Sequence, residues 1–233
     1  MRDLAAASRI LAAQGVVDAF GHVSIRHPDA PDRYLLSRSM APALVTPDDI
    51  IEYDLDSNAV NAEGRGSFLE RFIHGQIYRV RADVMAVVHT HSPSVIPFGL
   101  VGVEMRAMFH NAAFIAEGVP VFDISKQFGD TDMLVSDNDK GVALAAVVAG
   151  KNVVLMRGHG AVACGETLQT AVFRAAYTEV NARIQHWTNA LAGGGAIAAL
   201  STEEGALADV PNQAACMRAW NLWRTELGKH VDW

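Results

Sequence analysis

The sequence has little of several features that define common protein classes. It holds only two cysteines, Cys164 and Cys216, which lie far apart in apolar segments, so no disulfide framework is expected and a reducing compartment suits the chain. No apolar run reaches the roughly 18 residues of a membrane span. Charged residues at Arg2, Asp3 and Arg9 also fall too early for a signal peptide. We therefore expect a cytoplasmic protein that does not span a membrane.

Basic charge is scarce as well. The chain has 19 lysines and arginines against 26 aspartates and glutamates, a formal net charge of −7. Nucleic acids and anionic lipids bind basic patches, so neither is expected as a partner. The sequence also lacks a Gly-rich dinucleotide fingerprint and a phosphate-binding loop. Hydrophobic residues, in contrast, make up 50% of the chain and charged residues 19%. This composition leaves apolar surface for a second subunit and predicts a homo-oligomer.

Helical and strand patterns are mixed along the chain, which predicts a layered α/β fold. The clearest helices are expected over residues 138–148 and 167–191, and a further helix within residues 105–118. An apolar strand is expected over residues 83–91. Gly158 and Gly160 are expected to form a tight turn between two later strands.

The chain is expected to divide at its run of three glycines. Residues 1–195 are predicted to form one domain, and residues 196–233 a C-terminal segment. That segment contains Trp220, Trp223 and Trp233 and is too aromatic for a disordered tail. We expect it to pack on the body or on a neighbouring subunit.

Two histidines on the apolar strand carry most of the functional information. Side chains at positions i and i+2 of a strand emerge on the same face, so the imidazoles of His89 and His91 can converge. Glu70 and His159, the latter between two glycines, are further candidates. Three neutral imidazoles and a carboxylate suit Zn(II), Mn(II), Co(II) or Fe(II), and the ligand types alone do not choose among these ions.

Each of these residues also has a structural interpretation. A histidine near an apolar run can be a hydrogen-bonded core residue, and Ser67 with Glu70 forms a capping-box pattern that would begin a helix. Two imidazoles on one buried face, however, need a shared partner to offset their desolvation. The two interpretations of Glu70 are compatible, because a helix start can also aim its carboxylate.

The order and spacing of four segments resemble the class II aldolase and adducin family. These segments are Phe20-Gly21-His22-Val23-Ser24-Ile25-Arg26, then Glu70 followed by His74, Tyr78 and Arg79, then Val87-Val88-His89-Thr90-His91-Ser92-Pro93, and then Gly158-His159-Gly160 with Gly165. The resemblance implies a three-layer α/β/α sandwich, with residues 1–195 as its catalytic domain, and a homotetramer. It also implies that His89, His91 and His159 bind a divalent metal and that Glu70 is a ligand or acid/base. We favour Mn(II), with Zn(II) or Co(II) as alternatives.

Departures from the family's sugar-phosphate aldolases bear on the substrate. Those enzymes read Gly-Asn-Val-Ser where this chain has His22, and Pro-Ser-Ser-Glu before the glutamate, and they carry a Ser/Thr-Gly pair near Met40. A phosphate placed against Phe68, Leu69 and Met40 would lose its hydrogen bonds. We therefore expect an unphosphorylated, planar substrate in contact with Phe68.

The resemblance extends to the decarboxylases of the family. Overall similarity points to 3-hydroxy-2-methylpyridine-4,5-dicarboxylate, decarboxylated at C4 in vitamin B6 degradation, as the small aromatic carboxylate substrate. Glu70 is then the predicted acid/base, with His22 as the second candidate. Arg65 and Arg38 are the nearby cations that could bind a second carboxylate.

Two alternatives stay open at this point. An aldolase acting on unphosphorylated hydroxy-keto acids would share every metal residue. A metal-free, adducin-like interaction module is disfavoured because all three histidines are present.

Overall fold

A seven-stranded sheet organises the computed structural model, which describes residues 1–228. Its strands are β1 (His22–Arg26), β2 (Arg33–Ser37), β3 (Ile50–Asp54), β4 (Ala86–Thr90), β5 (Val121–Phe122), β6 (Val153–Met156) and β7 (Gly160–Gly165). The strand order is β3-β2-β1-β4-β7-β6-β5. Neighbouring strands are antiparallel except β5 and β6, which are parallel. Strand β4 thus lies at the centre of the sheet.

Helices cover both faces of the sheet. They are α1 (Arg2–Ala13), α2 (Phe72–Val80), α3 (Ser125–Phe128), α4 (Asn138–Val148), α5 (Leu168–Ala192) and α6 (Thr202–Leu227). Two separate hydrophobic cores result. Ala86 and Val88 of β4 belong to the core beneath α1, α5 and α6, whereas Val87 belongs to the core beneath α2 and α4. This arrangement is the three-layer α/β/α sandwich that the family resemblance implies, so that prediction is confirmed.

Helix starts follow local side-chain chemistry. Asp137 accepts a hydrogen bond from the Lys140 backbone N–H at the start of α4, and Thr167 caps α5 in the same way. Helix α6 begins with a capping box formed by Ser201 and Glu204. The helix expected within residues 105–118 is wrong in extent, because only a 3-10 turn over His110–Ile115 forms there.

Helix α6 packs on the body of the same chain. It contacts α1, α5 and the 3-10 turn over His110–Ile115, and the Asn212 side chain donates a 2.6 Å hydrogen bond to the His110 carbonyl. Trp220 and Trp223 are buried, whereas Trp233 lies outside the described residues. No helix within residues 1–228 combines the length and apolar character needed to cross a membrane.

Candidate metal centre

Four side chains converge where the central strand ends. His89 lies in β4 and His91 follows that strand directly, whereas His159 lies in the turn between β6 and β7. Because β4 and β7 are hydrogen-bonded neighbours, the turn brings His159 beside the other two histidines. Glu70 approaches from the 3-10 turn that precedes α2. The structure therefore brings together all four ligands predicted from the sequence.

Two glycines place His159. Gly158 has a φ of +64°, a left-handed conformation that side chains other than glycine rarely adopt. A Cβ atom on Gly160 would overlap the Thr90 carbonyl oxygen of β4. Only a residue without a side chain lets β7 approach β4 this closely, and this approach sets the distance between His159 and His91.

The ligand atoms are spaced as the shell of one ion. The Nε2 atoms of His89 and His91 are 3.1 Å apart, and those of His159 and His91 are 3.0 Å apart. The Glu70 Oε2 atom lies 3.4 Å from His89 Nε2 and 3.2 Å from His159 Nε2. Donors about 2.1 Å from a common ion are separated by about 3.0 to 3.4 Å in octahedral or tetrahedral geometry. The residues therefore fit a divalent metal.

Hydrogen bonds at the far side of two rings support this interpretation. His89 Nδ1 lies 3.3 Å from the Ala161 carbonyl oxygen, and His159 Nδ1 lies 3.1 Å from the Met133 carbonyl oxygen. A carbonyl only accepts, so both Nδ1 atoms carry the proton, which leaves the Nε2 lone pairs of these rings facing His91 Nε2 and the Glu70 carboxylate. Such an arrangement is repulsive without a cation and is the usual outer arrangement around metal-bound histidines.

The charge states of the cluster suit metal binding. Burial, together with His89 and His159, lowers the pKa of His91 to about 4, so this ring is neutral near pH 7. Burial alone would lower the pKa of His159, but the adjacent Glu70 carboxylate, which attracts a cation at this position, raises the net value. Burial alone would raise the pKa of Glu70, but the neighbouring imidazoles of His89 and His159 hold it well below its usual range.

Both carboxylate oxygens of Glu70 are engaged. Oε1 accepts a 3.0 Å hydrogen bond from the Val135 backbone N–H, while Oε2 faces His89 and His159. The predicted capping box is wrong, since Phe68 rather than Ser67 precedes the 3-10 turn and no side chain caps it. The Ser67 hydroxyl instead accepts a hydrogen bond from Tyr53. Glu70 thus serves the centre and not a helix start.

A buried polar chain adjoins the centre and was not predicted from the sequence. His22 of β1 lies opposite His89 in the strand register, and its Nδ1 is 2.7 Å from His74 Nε2. His74 Nδ1 is 2.6 Å from the Ser24 hydroxyl, which lies 2.8 Å from the Tyr78 hydroxyl. The available signal was positional: residues 22 and 24 share a strand face, and residues 74 and 78 share a helix face.

A cavity of about 260 Å³ opens beside the cluster. Its walls are formed by Phe20, Gly21, His22, Ser39, Phe68, Leu69, Glu70, His91 and Leu134. Phe68 and Leu69 therefore lie where the sequence placed them. Met40 does not line this cavity, because its side chain packs against the hydrophobic core.

The two candidate arginines do not line the cavity. The Arg65 guanidinium donates to backbone carbonyls of its own loop, including Ala62, and to those of Asp48 and Ile50 at the start of β3. Arg38 is paired with Asp49 at 2.6 Å. The Arg65 guanidinium is thus occupied by hydrogen bonds to four backbone carbonyls. Arg38 is adjacent in sequence to Ser39, which lines the cavity.

A partly buried centre of three histidines and one carboxylate on an α/β/α sandwich is typical of a metal-dependent lyase of the class II aldolase type. The sequence profile of the Class II Aldolase and Adducin N-terminal domain matches residues 2–186. The chain belongs to this family, and it is a carboxy-lyase of the family's decarboxylase branch.

Two named relatives place it in that branch. Decarboxylase tropJ of Talaromyces stipitatus is 34% identical, with 97% of this chain and 93% of that protein aligned. The 3,4-dihydroxyphthalate decarboxylase of Arthrobacter keyseri is 28% identical over 97% of this chain and 92% of its own length. Among solved structures, L-fuculose 1-phosphate aldolase from Glaciozyma antarctica superimposes with a TM-score of 0.79 at 20% identity, covering 98% of this chain and 89% of that one. This last likeness supports the fold alone.

Proposed function

We propose that this protein removes carbon dioxide from an aromatic carboxylate that carries a hydroxyl group on the adjacent ring carbon. The observation that carries the proposal is the Glu70, His89, His91 and His159 cluster, which opens into a cavity walled by Phe20, Phe68 and Leu69. A flat ring matches these apolar walls. The relative from Arthrobacter keyseri is named for a substrate of this class.

The reaction breaks the bond between the ring carbon and the carboxylate carbon. The electron pair stays on the ring, carbon dioxide leaves, and the vacated carbon takes up one proton. A divalent ion, if held by Glu70, His89, His91 and His159, would supply Lewis-acid stabilisation of that negative charge, worth several kcal/mol of barrier. The apolar walls lower the polarity around the carboxylate and so favour its loss as a neutral gas.

Glu70 acts in this scheme as a ligand. Its two oxygens are already engaged by the Val135 N–H and by the imidazoles, and its low pKa keeps it ionised. A carboxylate held in this way is a poor resident acid. The incoming proton then comes through the open side of the cavity, where water has access.

The particular substrate is a choice among hydroxylated aromatic acids. 3-Hydroxy-2-methylpyridine-4,5-dicarboxylate satisfies the ring requirement, as does 3,4-dihydroxyphthalate. Each has a second carboxylate. We favour Arg38 for it, because Arg38 adjoins the cavity-lining Ser39 in sequence and its guanidinium pairs with Asp49, whereas that of Arg65 is bonded to four backbone carbonyls. We also propose Mn(II) as the working ion, with Zn(II) and Co(II) as alternatives.

A product assay tests the proposal. Metal-loaded protein is incubated in D2O with both dicarboxylates, with an unphosphorylated hydroxy-keto acid and with fuculose 1-phosphate. We expect one carbon dioxide and one ring deuterium per turnover from an ortho-hydroxy aromatic acid, and no cleavage of the sugar phosphate. Aldehyde release from the keto acid, without carbon dioxide release from the aromatic acids, would show that the protein is an aldolase instead.

A further inference from the structure

Four polar side chains form an unbroken hydrogen-bonded chain that ends in the cavity. It runs from the Tyr78 hydroxyl through the Ser24 hydroxyl to His74, and from His74 Nε2 to His22 Nδ1. Ser24 and His74 are fully buried, and Tyr78 is 1% exposed. The ring of His22 lines the cavity between Phe68 and His89, with ring centroids 4.5 Å and 5.1 Å away.

The hydrogen bonds from Tyr78 to His22 can run in only one donor-to-acceptor direction without leaving a proton unpaired. The Tyr78 hydroxyl has one proton, and Ser24 is its only hydrogen-bond partner within residues 1–228. Tyr78 therefore donates to Ser24, and Ser24 donates to His74 Nδ1. His74 then carries its proton on Nε2 and donates it to His22 Nδ1. The reverse direction would leave the Tyr78 proton buried without an acceptor, which is unfavourable.

The direction of the chain fixes the tautomer of His22. Since its Nδ1 accepts, a neutral His22 must carry its proton on Nε2, the atom that has no partner within the described chain and is free to face the cavity. Among the residues that line the cavity, none is a lysine or arginine, and His22 and Ser39 are the side-chain donors apart from the metal ligand His91.

We propose that Tyr78, Ser24 and His74 are positioning residues that hold His22 as a neutral hydrogen-bond donor toward an anionic oxygen of the substrate. His22 then selects for a substrate that presents a carboxylate or phenolate oxygen to its Nε2–H, and it is not a general base. A site built around such a donor rejects analogues that lack the acceptor, because the buried polar group is left unpaired. The choice of ligand rests on the proposed function, whereas the tautomer does not.

The tautomer is measured by long-range 1H–15N correlation spectroscopy on protein labelled in histidine and loaded with diamagnetic Zn(II), without substrate. The His22 signals are assigned by their loss in His22→Asn. We expect His22 and His74 to be protonated at Nε2 and unprotonated at Nδ1. A proton on His22 Nδ1 overturns the proposal. This result stands whether or not the protein turns out to be a decarboxylase.

Variants of Ser24 and Tyr78 then test whether the hydrogen bonds that lead to His22 affect substrate selection. Ser24→Ala removes the donor to His74 and should give a mixed His22 tautomer and an at least tenfold lower kcat/KM, with unchanged zinc content. Tyr78→Phe should be milder, because the Ser24 hydroxyl can still donate to His74. Ser8→Ala, a buried serine in α1 away from the site, is the matched control and should change neither property. An unaltered tautomer and unaltered kcat/KM in Ser24→Ala would overturn the proposal even if the wild-type tautomer is as expected.

Discussion

At the residue scale, the metal centre depends on the partners of the two Glu70 carboxylate oxygens. Glu70 uses Oε1 for the Val135 N–H and Oε2 for the imidazoles of His89 and His159. A glutamine there keeps the size of the side chain but loses its charge. We expect Glu70→Gln to bind metal at least about tenfold more weakly, since even outer-shell changes at metal sites cost about 10- to 100-fold. Metal titration with turnover measured in parallel checks this.

The same experiment separates a ligand from an acid/base. If Glu70 is a ligand, excess metal should restore much of the lost turnover. Full metal occupancy with turnover still reduced about 10²-fold would instead assign the proton transfer to Glu70. Glu52→Gln, at a surface pair with Arg33, is the matched control and should leave metal affinity unchanged.

His74 makes stability depend on pH. Its burial, with a smaller contribution from His89, lowers its pKa from 6.5 to about 3. Below pH 6.5 the unfolded chain binds a proton that the folded chain does not, so stability falls as the pH decreases, by about 1.4 kcal/mol per pH unit for this group. Urea unfolding in chelator between pH 7 and pH 5 should show a smaller slope for His74→Gln than for wild type. Equal slopes would contradict the assignment.

Single residues also show what the sequence could predict. The histidine ligands were predictable because positions i and i+2 of a strand share a face. The engagement of Arg65 was not, since its acceptors are backbone carbonyls that leave no pattern in the sequence. The role of His74 was hidden because its partners, His22 and Ser24, lie in β1, 52 and 50 residues earlier along the sequence.

At the scale of elements, the site depends on the close approach of β4 and β7. A methyl group on Gly160 would overlap the Thr90 carbonyl, and neither backbone can yield without breaking the pairing between them. We expect Gly160→Ala to lose about 3 kcal/mol of stability, at the upper end of overpacking costs, and to bind metal weakly. Thermal unfolding and metal analysis check both effects.

The control for this change is a glycine with open space around it. A Cβ atom on Gly102 would meet nothing within 4 Å, so Gly102→Ala should keep wild-type stability and metal content. Equal stability of the two variants would contradict so close an approach of β4 and β7.

Elements with strong local chemistry were the ones predicted well. The bounds of α4 agree with the sequence because Asp137 caps its start. The segment over residues 105–118 lacks such a cap, and its 3-10 turn is held from outside by α6. The capping-box pattern at Ser67 did not predict the local structure, because the Ser67 side chain accepts a hydrogen bond from Tyr53 and that of Glu70 from the Val135 N–H.

At the scale of the whole molecule, apolar surface near the cavity indicates a further subunit. Phe20 and Leu69 line the cavity, yet they are 65% and 63% exposed in the single chain, and Leu100, Val101 and Val103 form another exposed apolar run. We propose a homotetramer that buries such surface. Light scattering coupled to size-exclusion chromatography should give about four times the 25.0 kDa chain mass, and a monomer would contradict the proposal.

Carbon dioxide release is expected to depend on a metal held by Glu70, His89, His91 and His159. The most direct measurement follows carbon dioxide from 3,4-dihydroxyphthalate and from 3-hydroxy-2-methylpyridine-4,5-dicarboxylate, using protein stripped by chelator and then reconstituted with one equivalent of Mn(II), Zn(II) or Co(II). We predict that release from at least one of these acids disappears on stripping and returns on reconstitution of the wild type, but not of His91→Ala. Full activity in the stripped protein, or in reconstituted His91→Ala, would contradict the account.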